Sequence, residues 1–98
     1  MQTLTAIIRA KEGAEAAVLE ALQVVGAFAK EHEPDTIGFH VTQDLADPCL
    51  FTTFERFTDA AAMETHNNGS GSKGFFTATE GLLEGEVTVV IAQEKFAL

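Results

Sequence analysis

The spacing of apolar residues switches repeatedly between two periods along this 98-residue chain, and that alternation limits its fold more than any other feature. Residues 2–9 (QTLTAIIR) are rich in β-branched side chains and predict a first strand, which Lys11-Glu12-Gly13 breaks. From Ala14 onward Val18, Ala21, Leu22, Val25, Phe28 and Ala29 recur at three- and four-residue spacing, with Glu15, Glu20, Gln23, Lys30 and Glu31 on the opposite side. That is an amphipathic helix. It ends before Pro34, whose ring disfavours helical geometry at Glu33. Thr36 to Gln43 returns to period two, with Ile37, Phe39 and Val41 facing one way and Gly38, His40 and Thr42 the other. Asp44 to Pro48 predicts a turn, and Leu50 to Phe57 a third strand paired with the second as a hairpin. Thr58 is placed to cap a second helix over roughly residues 59–67, with Asp59 near its positive pole. Asn67 to Ser72 reads as a flexible loop, Lys73 to Leu83 as a further short helix, and Glu86 to Gln93 as a last strand. The whole predicts a single α+β domain, residues 1–98, in the order βαββαβ.

The first, third and fourth strands carry apolar residues on both faces. A sheet with helices on one side normally presents a polar second face. A chain of this size has nothing left to cover a second apolar face, so a face-to-face homodimer is expected.

Charge narrows the partners. Six basic against fifteen acidic residues give a net charge of −9, which repels phosphate backbones and anionic membrane surfaces alike. Neither nucleic acid nor membrane is therefore an expected partner, and no apolar run approaches the ~20 residues of a membrane span. The first residues lack the pattern of a signal peptide, and the single Cys49 offers no internal disulfide, which fits a reducing cytoplasm. His32, His40 and His66 lack metal-ligand spacing, so no structural metal is expected. His32 reads as a partner of the first helix's dipole, His40 as a surface residue and Cys49 as a small hydrophobe.

The chemistry-bearing stretch is Phe54-Glu55-Arg56-Phe57 followed by His66. His66 is the candidate catalytic base, since an imidazole exchanges a proton near neutral pH; its alternative is to cap the end of its own helix. Glu55 is the candidate partner, orienting His66 or holding a substrate hydroxyl, unless it simply pairs with Arg56 or Arg9. Phe51, Phe54, Phe57, Phe75 and Phe76 are candidates to line a pocket for a planar apolar ligand, their alternative being plain core. The glycine–serine segment at 69–74 either closes over such a pocket or is merely mobile. His66→Ala is expected to abolish turnover and spare the fold.

The βαββαβ order, Glu33-Pro34 before the second strand, Asp47-Pro48 before the third, the Glu55-x-aromatic strand end and His66 together resemble the antibiotic biosynthesis monooxygenase domain over roughly residues 3–93. The resemblance implies a ferredoxin-like protomer with an antiparallel four-stranded sheet, assembled as a dimeric α+β barrel. It implies cofactor-free oxygenation of an anthrone-like or quinol substrate, with no cofactor or metal. Other activities of the family are haem degradation and isomerisation of a phosphorylated metabolite, and a non-catalytic ligand-binding module is the remaining alternative. The chain departs from the family pattern in carrying Phe57 where Trp is frequent, and Gly69-Ser70-Gly71 where a second histidine is frequent. It also lacks an Asn between Thr3 and Arg9, which the haem-degrading branch uses.

Overall fold

A computed structural model describes all of residues 1–98. Its elements are β1 (Gln2–Arg9), α1 (Glu15–His32), β2 (Thr36–Gln43), β3 (Leu50–Phe57), α2 (Ala60–Asn68), α3 (Ser70–Ala78) and β4 (Thr88–Gln93). The strands form one antiparallel sheet in the order β2-β3-β1-β4. This is the α+β, ferredoxin-like βαββαβ arrangement, with both βαβ halves crossing over the same face. β1 runs centrally because it pairs with β3 on one side and β4 on the other.

Strand parity sorts the residues. Leu4, Ala6 and Ile8 share the helix-covered face with Phe51, Thr53, Glu55 and Phe57, and with Phe39 and Val41 of β2. Val18, Ala21, Leu22 and Val25 of α1, Met63 of α2 and Phe75 of α3 close the core over them. Phe51, Phe57 and Val18 are fully buried; burying a side chain of this size stabilises by about 1.5–3 kcal/mol. Gly26 in α1 lies where a Cβ would come within 3.1 Å of the Phe39 ring, so its missing side chain permits the close helix–sheet contact.

Several sequence expectations change. The cap of α2 is Asp59 rather than Thr58: its Oδ1 accepts from the Ala62 N–H at 2.8 Å. The segment expected as a loop is helical from Ser70, and α3 ends at Ala78 instead of reaching Leu83. Only Gly69 separates α2 from α3. Intrinsic propensity, which penalises helical Gly by about 1 kcal/mol, is overruled here by packing. A Cβ on Gly71 would lie 2.7 Å from Cδ1 of Phe28, so glycine is what lets α3 lie against α1. The segment 69–74, expected as a lid or a mobile loop, is thus a packed helical turn. β4 starts at Thr88 instead of Glu86.

The second face of the sheet is more mixed than expected. Thr5, Thr42, Thr52, His40 and Arg56 lie there beside the half-exposed Ile7, Phe54 and Val90. β4 also leaves Val89 and Ile91 largely uncovered on the helix-side face, because the helices sit over the other three strands.

Candidate active site

Three elements deliver three ionisable side chains to one buried point. Glu33 is the C-cap of α1, held there by its N–H donating to Ala29 O at 2.9 Å and by the proline that follows. Glu55 points inward from β3, and His66 points inward from the last turn of α2. Exposures are 8%, 5% and 3% respectively, so all three are removed from water. Nδ1 of His66 lies 2.6 Å from Oε1 of Glu33, and Nε2 lies 3.1 Å from Oε1 of Glu55. Both carboxylates are held in turn: Thr36 Oγ1 donates to Glu33 Oε1 at 3.2 Å, and Thr53 Oγ1 donates to Glu55 Oε2 at 2.7 Å.

Carboxylates only accept, so both ring nitrogens satisfy their partners when both carry a proton. Burial pushes the imidazole toward its neutral form, but the hydrogen bonds to Glu55 and Glu33 and their negative charges outweigh it, and the net shift is upward. The arrangement is that of an imidazolium held between two carboxylates, and with both acids ionised such a cluster carries one net negative charge. Neither arginine competes for Glu55: Arg9 pairs with Asp47 at 2.6 Å and Arg56 with Glu94 at 2.8 Å. Nor does the ring cap its helix, since the His66 carbonyl accepts from Gly69 N–H and from Ser72 Oγ instead.

Glu55 and His66 form the polar end of a cavity of about 230 Å³ between the sheet, α1 and α3. Leu4, Ala6, Ile8, Leu22, Val25 and Phe39 make its apolar walls, and Phe76 and Val89, each about half exposed, stand at its rim. Of the expected aromatic residues only Phe75 and Phe76 line it. Phe51 and Phe57 are sealed in the core, Phe57 with its ring centroid 5.3 Å from that of His66. Phe54 lies on the opposite face of the sheet, against His40. Those three are corrections, and strand parity explains Phe54: it alternates with Thr53 and Glu55.

Sequence reasoning missed Phe39, Thr53 and, above all, Glu33 as parts of the site. A signal for Glu33 existed. An acid at the C-terminus of a helix opposes the helix dipole, so its presence there calls for a cation close by. The cavity lining contains no Lys or Arg. No group of three His, Cys, Asp or Glu side chains is arranged to hold a metal ion, and no helix is long and apolar enough to cross a membrane.

Residues 1–78 match the sequence model of the family described as antibiotic biosynthesis monooxygenase. Comparison with curated proteins finds no match. Among solved structures, a Nitrosomonas europaea protein assigned provisionally to these monooxygenases superposes with a TM-score of 0.91 at 17% identity, over 98% of this chain and 100% of that one. The Pseudomonas aeruginosa protein PA3566 is 29% identical, with a TM-score of 0.85 over 95% of this chain and 92% of its own. A second Nitrosomonas europaea protein, NE2512, of unknown function, is 24% identical, with a TM-score of 0.87 over 99% and 91%.

Proposed function

Because the chain belongs to the antibiotic biosynthesis monooxygenase family, we propose that it is a cofactor-independent monooxygenase of a small hydroxylated aromatic molecule, with Glu55 and His66 acting together on the substrate's proton. The observation that supports this reading most is the placement of a buried carboxylate–imidazole pair at the end of a largely apolar cavity. The apolar walls take a ring system, and the pair addresses its one polar, acidic group.

The division of labour differs from that expected of a free histidine. With both nitrogens engaged, His66 has no lone pair to offer. Glu55 retains acceptor capacity on its oxygens, so Glu55 takes the proton from a substrate O–H or activated C–H, and the imidazolium stabilises the negative charge that develops. The resulting electron-rich anion passes one electron to dioxygen, the radical and superoxide combine into a peroxide anion at carbon, and that anion takes the proton back from Glu55 to become the hydroperoxide. Loss of water from that intermediate turns a CH₂ carbon into a carbonyl, with one oxygen atom in the product and the other in water.

A cavity lining without Lys or Arg speaks against the isomerase of a phosphorylated metabolite. The engagement of both His66 nitrogens supports one rival, a binding module without turnover. Oxygen uptake against a panel of anthrones and hydroquinones separates the two. Uptake that is lost in Glu55→Gln supports the oxygenase; ligand binding with no uptake above that variant's background leaves the binding module.

A second copy of the chain is the proposed partner. Ile7, Phe54 and Val90 on the outer sheet face are 44%, 40% and 54% exposed, and pairing of two such faces removes them from water.

A further inference from the structure

Glu33 touches the site only from behind. It is absent from the cavity walls, yet its Oε1 sits 2.6 Å from His66 Nδ1, the nitrogen turned away from Glu55. It thereby adds a second negative charge to a cluster holding one positive charge, and no Lys or Arg reaches the cavity to offset it. The other polar groups on the lining are Thr53, Asn67 and Ser72, all neutral. We propose that Glu33 is the specificity-determining charge of this cavity, making it select uncharged, hydroxyl-bearing aromatic ligands and reject their carboxylate, sulfonate or phosphate analogues.

The physical basis is the excess charge. A Glu55–His66 pair alone is neutral and meets an anion with the imidazolium as readily as with the carboxylate. With Glu33 present the imidazolium is neutralised from its far side, and the ligand meets net negative charge in a water-poor space, where like charges repel strongly. A neutral phenol suits that floor: its O–H donates to a Glu55 oxygen. Proton transfer then moves charge from Glu55 to the substrate oxygen without adding to the total. Glu33's role rests on the preceding reading only in that the cavity is taken as the substrate's seat; it requires nothing of oxygen.

Glu33→Gln tests this cleanly. Glutamine keeps an acceptor oxygen for the His66 Nδ1–H and for Thr36, and what remains is a neutral, fully paired Glu55–His66 couple, so the variant folds. The probes are 1-naphthol, neutral near pH 7, and 1-naphthoate, its anionic counterpart, titrated calorimetrically, together with the ¹⁵N shifts of the His66 ring through a pH titration. Glu33 and Glu55 are the titratable groups facing that ring, from the end of α1 and from β3. Expected is a preference of at least about tenfold for the naphthol in the native protein, falling to about threefold or less in Glu33→Gln. The His66 titration is expected to move down in the variant, because one of the two carboxylates that hold it up is gone. Equal binding of the two probes by the native protein, binding of neither, or a preference and a His66 titration unchanged in Glu33→Gln, would overturn the proposal. Selective binding without oxygen uptake would leave it standing while removing the oxygenase.

Discussion

Nδ1 of His66 meets Oε1 of Glu33 across 33 positions of sequence, at 2.6 Å and out of contact with water. That contact turns an expected Glu55–His66 pair into a three-membered cluster, and it changes what each substitution there should do.

Stability should depend on pH through His66. Its folded-state pKa is raised above the unfolded value near 6.5, so its contribution is fully present below that pH and is lost as pH rises through the folded value. The difference in urea midpoint between the native protein and His66→Gln should therefore shrink steadily from about pH 6.5 upward. A difference that is flat or grows with pH would contradict the imidazolium assignment.

His66→Ala should cost the fold about 3–5 kcal/mol, because it leaves two buried carboxylates facing each other without their cation. This reverses the expectation drawn from sequence that the fold would be spared. Adding Glu33→Gln and Glu55→Gln to that variant should restore part of the loss. Chemical denaturation of the single and triple variants checks both, and a fully stable His66→Ala would show that the cluster contributes little.

Two glycines of α3 should respond oppositely to alanine. A methyl group on Gly74 would meet nothing within 4 Å, so Gly74→Ala should stabilise by about 0.5–1 kcal/mol through helix propensity and a less flexible unfolded chain. Gly71→Ala drives a methyl into Phe28 and should destabilise by about 1–3 kcal/mol despite the same propensity gain. Thermal melts of the pair read the sign directly; two shifts in the same direction would mean that Phe28 yields freely.

Phe76 and Phe54 should separate ligand binding from self-association. Phe76→Ala removes a rim aromatic and should weaken an aromatic ligand by about tenfold, within the range of a lost ring contact. Phe54→Lys lies on the other sheet face and should leave affinity per site unchanged while driving a dimer to monomer. Calorimetry with sedimentation velocity distinguishes them. A native protein that sediments as a monomer at micromolar concentration would remove the dimer.

The strands β1, β2 and β3 could be read from the chain to the residue, because a period-two pattern bounded by Gly, Pro and Asp is a local property. The extent of α1 was legible for the same reason, through its apolar stripe and Pro34. Parity along β3 also separates Glu55 from Phe54, yet Phe54 was expected beside Glu55 in the pocket, and the structure puts it on the other face. What local pattern could not convey was depth and distance. Phe51, Phe57 and Phe75 all face the core, but the helices seal the first two and leave Phe75 on a cavity wall. Ser70 to Gly74 looks like a loop in composition and is helical because Gly71 admits Phe28. Glu33 joined His66 because the end of one helix and the end of another converge over β3, a meeting that depends on the packing of three elements. Period and turn chemistry act between neighbours in the chain and set the elements. Charge and contact act through space and made the site, so it emerged only once the elements had packed.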